Sequence, residues 1–296
     1  MRRAGGDMRV DGAIRVGLWA IDATWRGGST SGAALNGHDI IAAQTAQPRQ
    51  PIASVAIALG HVLDAAPRRG RFFSPHLRIM IADPYLQMAV IRFQQLPRSR
   101  GDLALLVTQR FCRDHRLEQG AATIAYAPQG EAQGERHVMV CALNAALAKT
   151  IAQSLTARDL HADIIAAESV FAIRALQTTL FAAPTLLLLL YGDYDTIVLW
   201  RSPEVIGHVS VFQPHERSRS AFLETLRTRL ERYGAVLARQ QDQITVGVAE
   251  WSENSGEAHI FRDLPYPVRD IRREPALAGL WPSGPALWTA IAEQGG

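Results

Sequence analysis

Lysine is almost missing from this chain. Lys149 is the only one among 296 residues, so nearly every positive charge is a guanidinium. The net charge is only +3, and a nucleic-acid surface is marked by clustered bases rather than by their number. The small groups Arg68, Arg69 and Arg71, and Arg98 and Arg100, fall in Pro/Gly-rich connectors, without the interleaved aromatic platform of a single-strand binder. Coding bias in a GC-rich genome explains the arginines better, and no nucleic-acid partner is expected. Cysteine is scarce too. Cys112 and Cys141 lie far apart with no Cys-x-x-Cys and no histidine at ligand spacing, so no metal site is expected and a reduced cytosolic chain is the default. Long apolar runs are also lacking. The longest, Phe181 to Tyr191, contains Pro184 and is about half of the roughly 20 residues a spanning helix needs. The first residues are basic but have no apolar core before Asp11, so a signal peptide is not expected.

What is present is ordinary globular composition, 48% apolar and 20% charged, over a length that suits one large domain or two smaller ones. "AIRVGLWAID" is a β-type run, "RGGSTSG" a loop and "HDIIAAQTA" a short candidate strand. "PIASVAIALGHVLDAA" reads as a helix with Pro51 at its start. "LRIMIADPYLQMAVIRFQQLP" breaks at the turn dipeptide Asp83-Pro84 into two β-rich halves, the second with Met88, Val90 and Phe93 on its apolar side. "GDLALLVTQRFCRDHRLEQG" is a helix capped by Asp102 and stopped by Gly120, with Leu103, Leu106, Val107 and Phe111 on one face. Strand, turn, strand, helix, strand and helix follow from Ala121 to Leu180, the pattern of an α/β layer. "TLLLLLYG", "TIVLWRS" and "PEVIGHVSVFQP" are further strands, then comes a long helix with Phe222, Leu226 and Leu230 on its apolar face, then "QITVGVAEW". The Pro-rich tail has no clear pattern, and no internal repeat of solenoid length is visible.

Several stretches resemble sites and fail on chemistry. "LAKT" at Leu147–Thr150 lacks the glycines that let a phosphate loop wrap its ligand. "WRGGSTSG" could cradle an anion but describes a hairpin loop at least as well. His115, His137, His161 and His208 are scattered and read as surface or packing residues. Asp22, Asp39, Asp163 and Glu168 are carboxylates that nothing in the sequence ties together. The stretch Gly192-Asp193-Tyr194-Asp195-Thr196 is more informative, because a turn joining two buried strands can hold phosphates through backbone N–H groups and a threonine hydroxyl. A plain Gly-Asp hairpin is the alternative.

From Leu77 to Ala238 the order of elements resembles the actin-like proteins of type IV pilus and type II secretion inner-membrane platforms, the PilM family and the cytoplasmic part of the GspL family. The likeness rests on "LRIMIADPYLQMAVIRFQQLP", then "LALLVTQRFCRDH", "ATIAYAP", "HVMVCALNAALAKTIAQSLTARDLHADIIAAES" and the strand pair "LLLLLYGDYDTIVLWRSPEVIGHVSV". It implies an actin-like (ribonuclease H-like) α/β fold in two subdomains, with mixed sheets flanked by helices. Residues 1–165 would form the first subdomain with an inserted small α/β subdomain, and 166–296 the second with the Pro-rich tail. It also implies a phosphate turn at Gly192, Asp193, Asp195 and Thr196. Departures from the family point the other way. "GLWAIDATW" stands where ATP-binding members carry Asp-Ile-Gly-Ser, bulky Tyr194 sits in the second turn, and "TVGVAEW" has only Gly247 where a run of glycines faces adenosine. The expectation is a cytoplasmic scaffold with no catalytic residue and no bound cofactor, recruited to the inner face of the inner membrane by membrane-anchored platform proteins. Homo-oligomerisation is left open. The competing expectation is an ATP- and Mg-dependent ATPase or kinase-like enzyme of the same superfold.

Overall fold

A computed structural model of the chain describes residues 12–17, 20–25, 30–34, 51–66, 76–118, 120–132, 135–176, 185–190, 194–201, 204–212, 218–238, 244–250 and 260–271. The chain divides into two compact units. One takes Met1–Ala82, Ala145–Phe171 and Gly279–Gly296, the other Asp83–Asn144 and Ala172–Ala278.

The first unit is built on a five-stranded sheet. Strands β1 (Gly12–Val16), β2 (Ala20–Trp25) and β3 (Thr30–Ala34) form an antiparallel meander. Two more, β4 (His76–Ile81) and β8 (His161–Ala167), add in parallel beside β1, giving the order β3-β2-β1-β4-β8. A parallel addition needs a crossover. Helix α1 (Pro51–Asp64) supplies it before β4, and α3 (Ala145–Thr156) precedes β8. Proline opens α1, where its missing N–H costs nothing. "AIRVGLWAID" is therefore two paired strands rather than one run, and the end of "RGGSTSG" belongs to β3. The candidate strand "HDIIAAQTA" lies outside the described residues.

In the second unit, β9 (Thr185–Leu190), β10 (Tyr194–Arg201) and β11 (Glu204–Phe212) again form an antiparallel meander. Strands β12 (Thr245–Glu250) and β13 (Val268–Asp270) add in parallel, so the order β11-β10-β9-β12-β13 repeats that of the first unit. Every leucine from Leu186 to Leu190 is buried, because a central strand covered on both faces has no polar side to alternate with. Leu186, Leu188 and Leu190 meet Phe222, Leu226 and Leu230 of α5 (Arg219–Ala238), the crossover helix before β12. The start of the sequence's unpatterned tail is structured: Leu264 and Ile271 are buried on either side of β13.

The same unit contains a separate antiparallel sheet of β5 (Leu86–Phe93), β6 (Ala122–Ala132) and β7 (Glu135–Asn144), in the order β5-β7-β6. The halves on either side of Asp83-Pro84 are thus not a strand pair, since β4 and β5 belong to different sheets. Helix α2 (Arg100–Asp114) covers one face through Leu103, Val107 and Phe111. The buried side chains of β5 are Ile91 and Phe93, which keeps strict alternation, whereas Met88 and Val90 are half-buried on the other face. Ser99 rather than Asp102 caps α2, its Oγ accepting the Asp102 N–H at 3.4 Å. The helix ends before Gly120, because Arg116 takes the left-handed conformation (φ 54°) and the Leu117 N–H closes on the Cys112 carbonyl at 2.8 Å. A final helix, α4 (Glu168–Leu176), follows β8.

Gly234 in α5 is required by packing. A Cβ there would overlap the ring of Tyr266, whose hydroxyl reaches the Glu231 carbonyl at 3.5 Å. Gly234→Ala is expected to lower stability by about 1–3 kcal/mol through overpacking, despite alanine's helix propensity. Gly101→Ala, where the nearest atom is Ser99 Oγ at 3.7 Å, is expected to be neutral or stabilising. Urea-unfolding midpoints of the two variants check the contrast.

Candidate functional site

The connection from β9 to β10 reads Tyr191-Gly192-Asp193 and lies outside the described residues, so Gly192 and Asp193 of the expected phosphate turn are not placed. Asp195 and Thr196 are placed. Both sit inside β10 and both are fully buried. Neighbouring residues of a strand point to opposite faces, and these two are engaged on opposite sides of the sheet. Tyr194, expected in the turn, is instead the first residue of β10 and has no solvent exposure.

On the α5 face, Asp195 receives a fork from Arg219, with Nη1 to Oδ2 at 2.8 Å and Nη2 to Oδ1 at 3.3 Å. Arg219 is the first residue of α5, directly after the capping Ser218, whose Oγ accepts the Ala221 N–H at 3.4 Å. The guanidinium also lies over the Phe222 ring, 5.6 Å from its centroid. A cation at a helix N-terminus opposes the helix dipole, and the Asp195 carboxylate offsets it.

On the other face, Thr196 Oγ1 donates to Asp83 Oδ2 at 2.7 Å and lies 3.2 Å from Ser210 Oγ. Register explains the second contact, since Thr196 and Ser210 are direct partners across β10 and β11. A hydroxyl has one proton. With that proton on Asp83, Ser210 is the donor to Thr196. Two residues before Ser210 and on the same face, His208 brings Nε2 to 3.6 Å from Asp83 Oδ2, both side chains almost wholly buried. Burial first, then the Asp83 carboxylate, push the Cys141 thiol up to about 12. Burial likewise raises the Tyr85 phenol.

The other carboxylates and histidines separate into pairs and surface residues. Glu168, buried at the start of α4, is held by Arg15 Nε of β1. Asp22 lies within β2 at the position paired with Arg15, so the β1–β2 connection, Gly17-Leu18-Trp19, contains no carboxylate. Gly247 is inside β12, between Leu187 and Arg269, and not in a turn. His115 is exposed and stacks on Phe111 with centroids 4.3 Å apart. His137 is buried, and exposed His161 brings Nε2 to 4.0 Å from Asp163 Oδ1. Asp39 lies outside the described residues. Among the described residues no group of three or more His, Cys, Asp or Glu side chains could hold a metal ion.

Sequence reasoning singled out Asp195 and Thr196 as part of a phosphate turn and did not connect them with Asp83, His208, Ser210 or Arg219. Only the alternation along "VIGHVSVF", which puts His208 and Ser210 on one face, hinted at their grouping.

Two sheets with the same strand order, each an antiparallel meander extended by two parallel strands, define an actin-like fold. A chain of the PilM–PilN type IV pilus biogenesis complex superposes with a TM-score of 0.64 at 14% identity, over 97% of this chain and 99% of that one. A Bacteroides thetaiotaomicron protein with an actin-like ATPase fold gives 0.52 at 10% identity, over 94% and 99%. The cytoplasmic domain of EpsL, an inner-membrane component of the Vibrio cholerae type II secretion system, overlaps more loosely, at 0.45 and 9% identity over 80% of each chain. The expected fold, and the resemblance to PilM at the level of fold, are borne out. No protein-family model matches the chain, and no curated protein matches it in sequence. Among the described residues, no helix is long and apolar enough to cross a membrane.

Two outcomes are expected. Arg219→Ala removes the fork from a carboxylate with no exposure and should cost about 3–5 kcal/mol. Asp195→Ala leaves a guanidinium that is one-fifth exposed and able to reach water, and should cost about 1–3 kcal/mol. Chemical denaturation of both variants tests that order. In the folded protein at pH 8, iodoacetamide should label Cys112 before Cys141, because the reactive species is the thiolate. Peptide mapping over a time course reads this, and urea should abolish the difference.

Proposed function

We propose that the protein is a cytosolic actin-like scaffold of a type IV pilus or type II secretion-like inner-membrane platform, recruited to the membrane by anchored partner proteins. The observation that carries this reading is the correspondence with a chain of the PilM–PilN complex along nearly the whole of both chains. An actin-like fold alone fixes no activity, so the site has to decide between scaffold and ATPase. Asp195 and Thr196, the placed members of the expected phosphate turn, are engaged by Arg219 and Asp83. The β1–β2 connection, Gly17-Leu18-Trp19, contains neither a carboxylate nor a hydroxyl side chain. These features support a nucleotide site that has lost its contacts, and no ATP or Mg²⁺ chemistry is assigned to it. The partners would be membrane-anchored components of the platform, met through backbone pairing with an extended segment.

Ligand binding to the native state raises stability by mass action, about 2.7 kcal/mol at a hundred times Kd. Thermal unfolding of the full chain with ATP and Mg²⁺ up to millimolar concentration is expected to show no shift. A concentration-dependent rise that Asp193→Ala abolishes would overturn the scaffold reading in favour of an ATPase. Deleting the gene in its host should abolish surface pili or substrate secretion, whereas a purely metabolic defect would count against the assignment.

A further inference from the structure

The chain leaves the sheet of the first unit within one residue step. The Ala82 N–H still donates to the Val16 carbonyl of β1 at 2.9 Å. Asp83, the next residue, already belongs to the second unit and begins the short 3-10 turn Asp83–Tyr85 that delivers the chain to β5. Its carboxylate is the most deeply committed group in that turn. The residue is 1% exposed, Thr196 Oγ1 is bonded to it at 2.7 Å, and His208 Nε2 stands 3.6 Å away. Those partners come from β10 and β11, more than a hundred positions along the chain.

The strand orders give this bond its significance. Strand β5 is at one edge of the three-stranded sheet and β11 at one edge of the five-stranded sheet, and among the described residues no hydrogen-bonded ladder joins the two sheets. Their apolar cores are also separate. Ile91, Phe93, Val138 and Val140 pack on α2, while the leucines of β9 pack on α5. The two sheets meet where β5 and β6 come against β11, and Asp83 adds a polar tie to that contact. Removing a carboxylate from water is costly unless hydrogen bonds replace the lost ones.

We infer that Asp83 is a latch. Its contacts with Thr196 and His208 hold the inserted layer of β5, β6, β7 and α2 onto the β9–β13 sheet, so that the two behave as one body. Separating the layers breaks the Asp83–Thr196 hydrogen bond, and losing the Thr196 hydroxyl loosens them. The latch is close in sequence to the β9–β10 connection, because Thr196 is the third residue after Asp193. A change in that connection therefore has a short route to the inserted layer.

Hydrogen–deuterium exchange of the full-length protein tests this, comparing the parent with Thr196→Val and Thr196→Ser. A hydrogen bond to a charged group is among the stronger ones, and regional opening is read directly by exchange. Thr196→Val should speed exchange at least tenfold in peptides covering β5, β7 and α2 while leaving β1, β4 and β12 unchanged. Thr196→Ser, which keeps the hydroxyl, should restore the parent pattern. Asp83→Ala, which also removes the carboxylate beside His208, should give the Thr196→Val pattern more strongly. An equal rise across β1, β4 and β12 would show a general loss of stability, and unchanged exchange in β5 and β7 would show that the layers are held by something else. Either result overturns the latch.

Discussion

Strand β10 carries a carboxylate and a hydroxyl into a sheet whose next strand is a row of buried leucines, and the rest of the second unit is arranged around that burden. A charge withdrawn from water must be answered inside the protein. Asp195 is answered by Arg219 at the first residue of α5, which ties the start of the longest described helix to the start of β10. Thr196 is answered by Asp83, which ties the chain's point of entry into the unit to the same strand. Two adjacent residues, facing opposite ways, thus fix a helix on one side of the sheet and a crossing turn on the other.

The same arrangement bears on chemistry. A phosphate turn works when its side chains and backbone donors are free to meet a ligand. In β10 the side chains of Asp195 and Thr196 are bonded within the protein, and the Thr196 hydroxyl cannot give its one proton to Asp83 and to a second acceptor together. Strand order depends on connections and burial rather than on individual polar contacts, so an actin-like fold alone fixes no activity.

How much of this could be read from residues alone follows from the range of each interaction. Leu186–Leu190 is legible as a central strand, because uniform burial leaves its mark within six residues. The apolar faces of α2 and α5 are legible for the same reason, through their helical spacing. The cap of α2 is less so: Ser99 and Asp102 are both plausible oxygens three residues apart, and only the backbone decides which one precedes the helix. The repeated strand order is invisible in the sequence, since the two sheets share a path and not a residue pattern. Asp83 is the sharpest case. Its neighbour Pro84 announces a turn correctly, but nothing local indicates that the carboxylate will meet Thr196 and His208, because register between distant strands makes that contact.

The near-absence of lysine also acquires a structural reading. The number of arginines does not by itself say what they can do once present. A guanidinium is planar, keeps its charge when buried and offers paired donors that match a carboxylate, whereas an ammonium is a compact, strongly hydrated point charge. Arg219 uses the pair of donors on Asp195, and Arg15 engages buried Glu168. Both acids lie where a strongly hydrated cation would have to give up more water to reach them. A chain restricted to arginine can therefore bury carboxylates at strand and helix starts that a lysine-based chain would leave exposed or replace with apolar residues. In this protein those buried acids decide which elements are tied together.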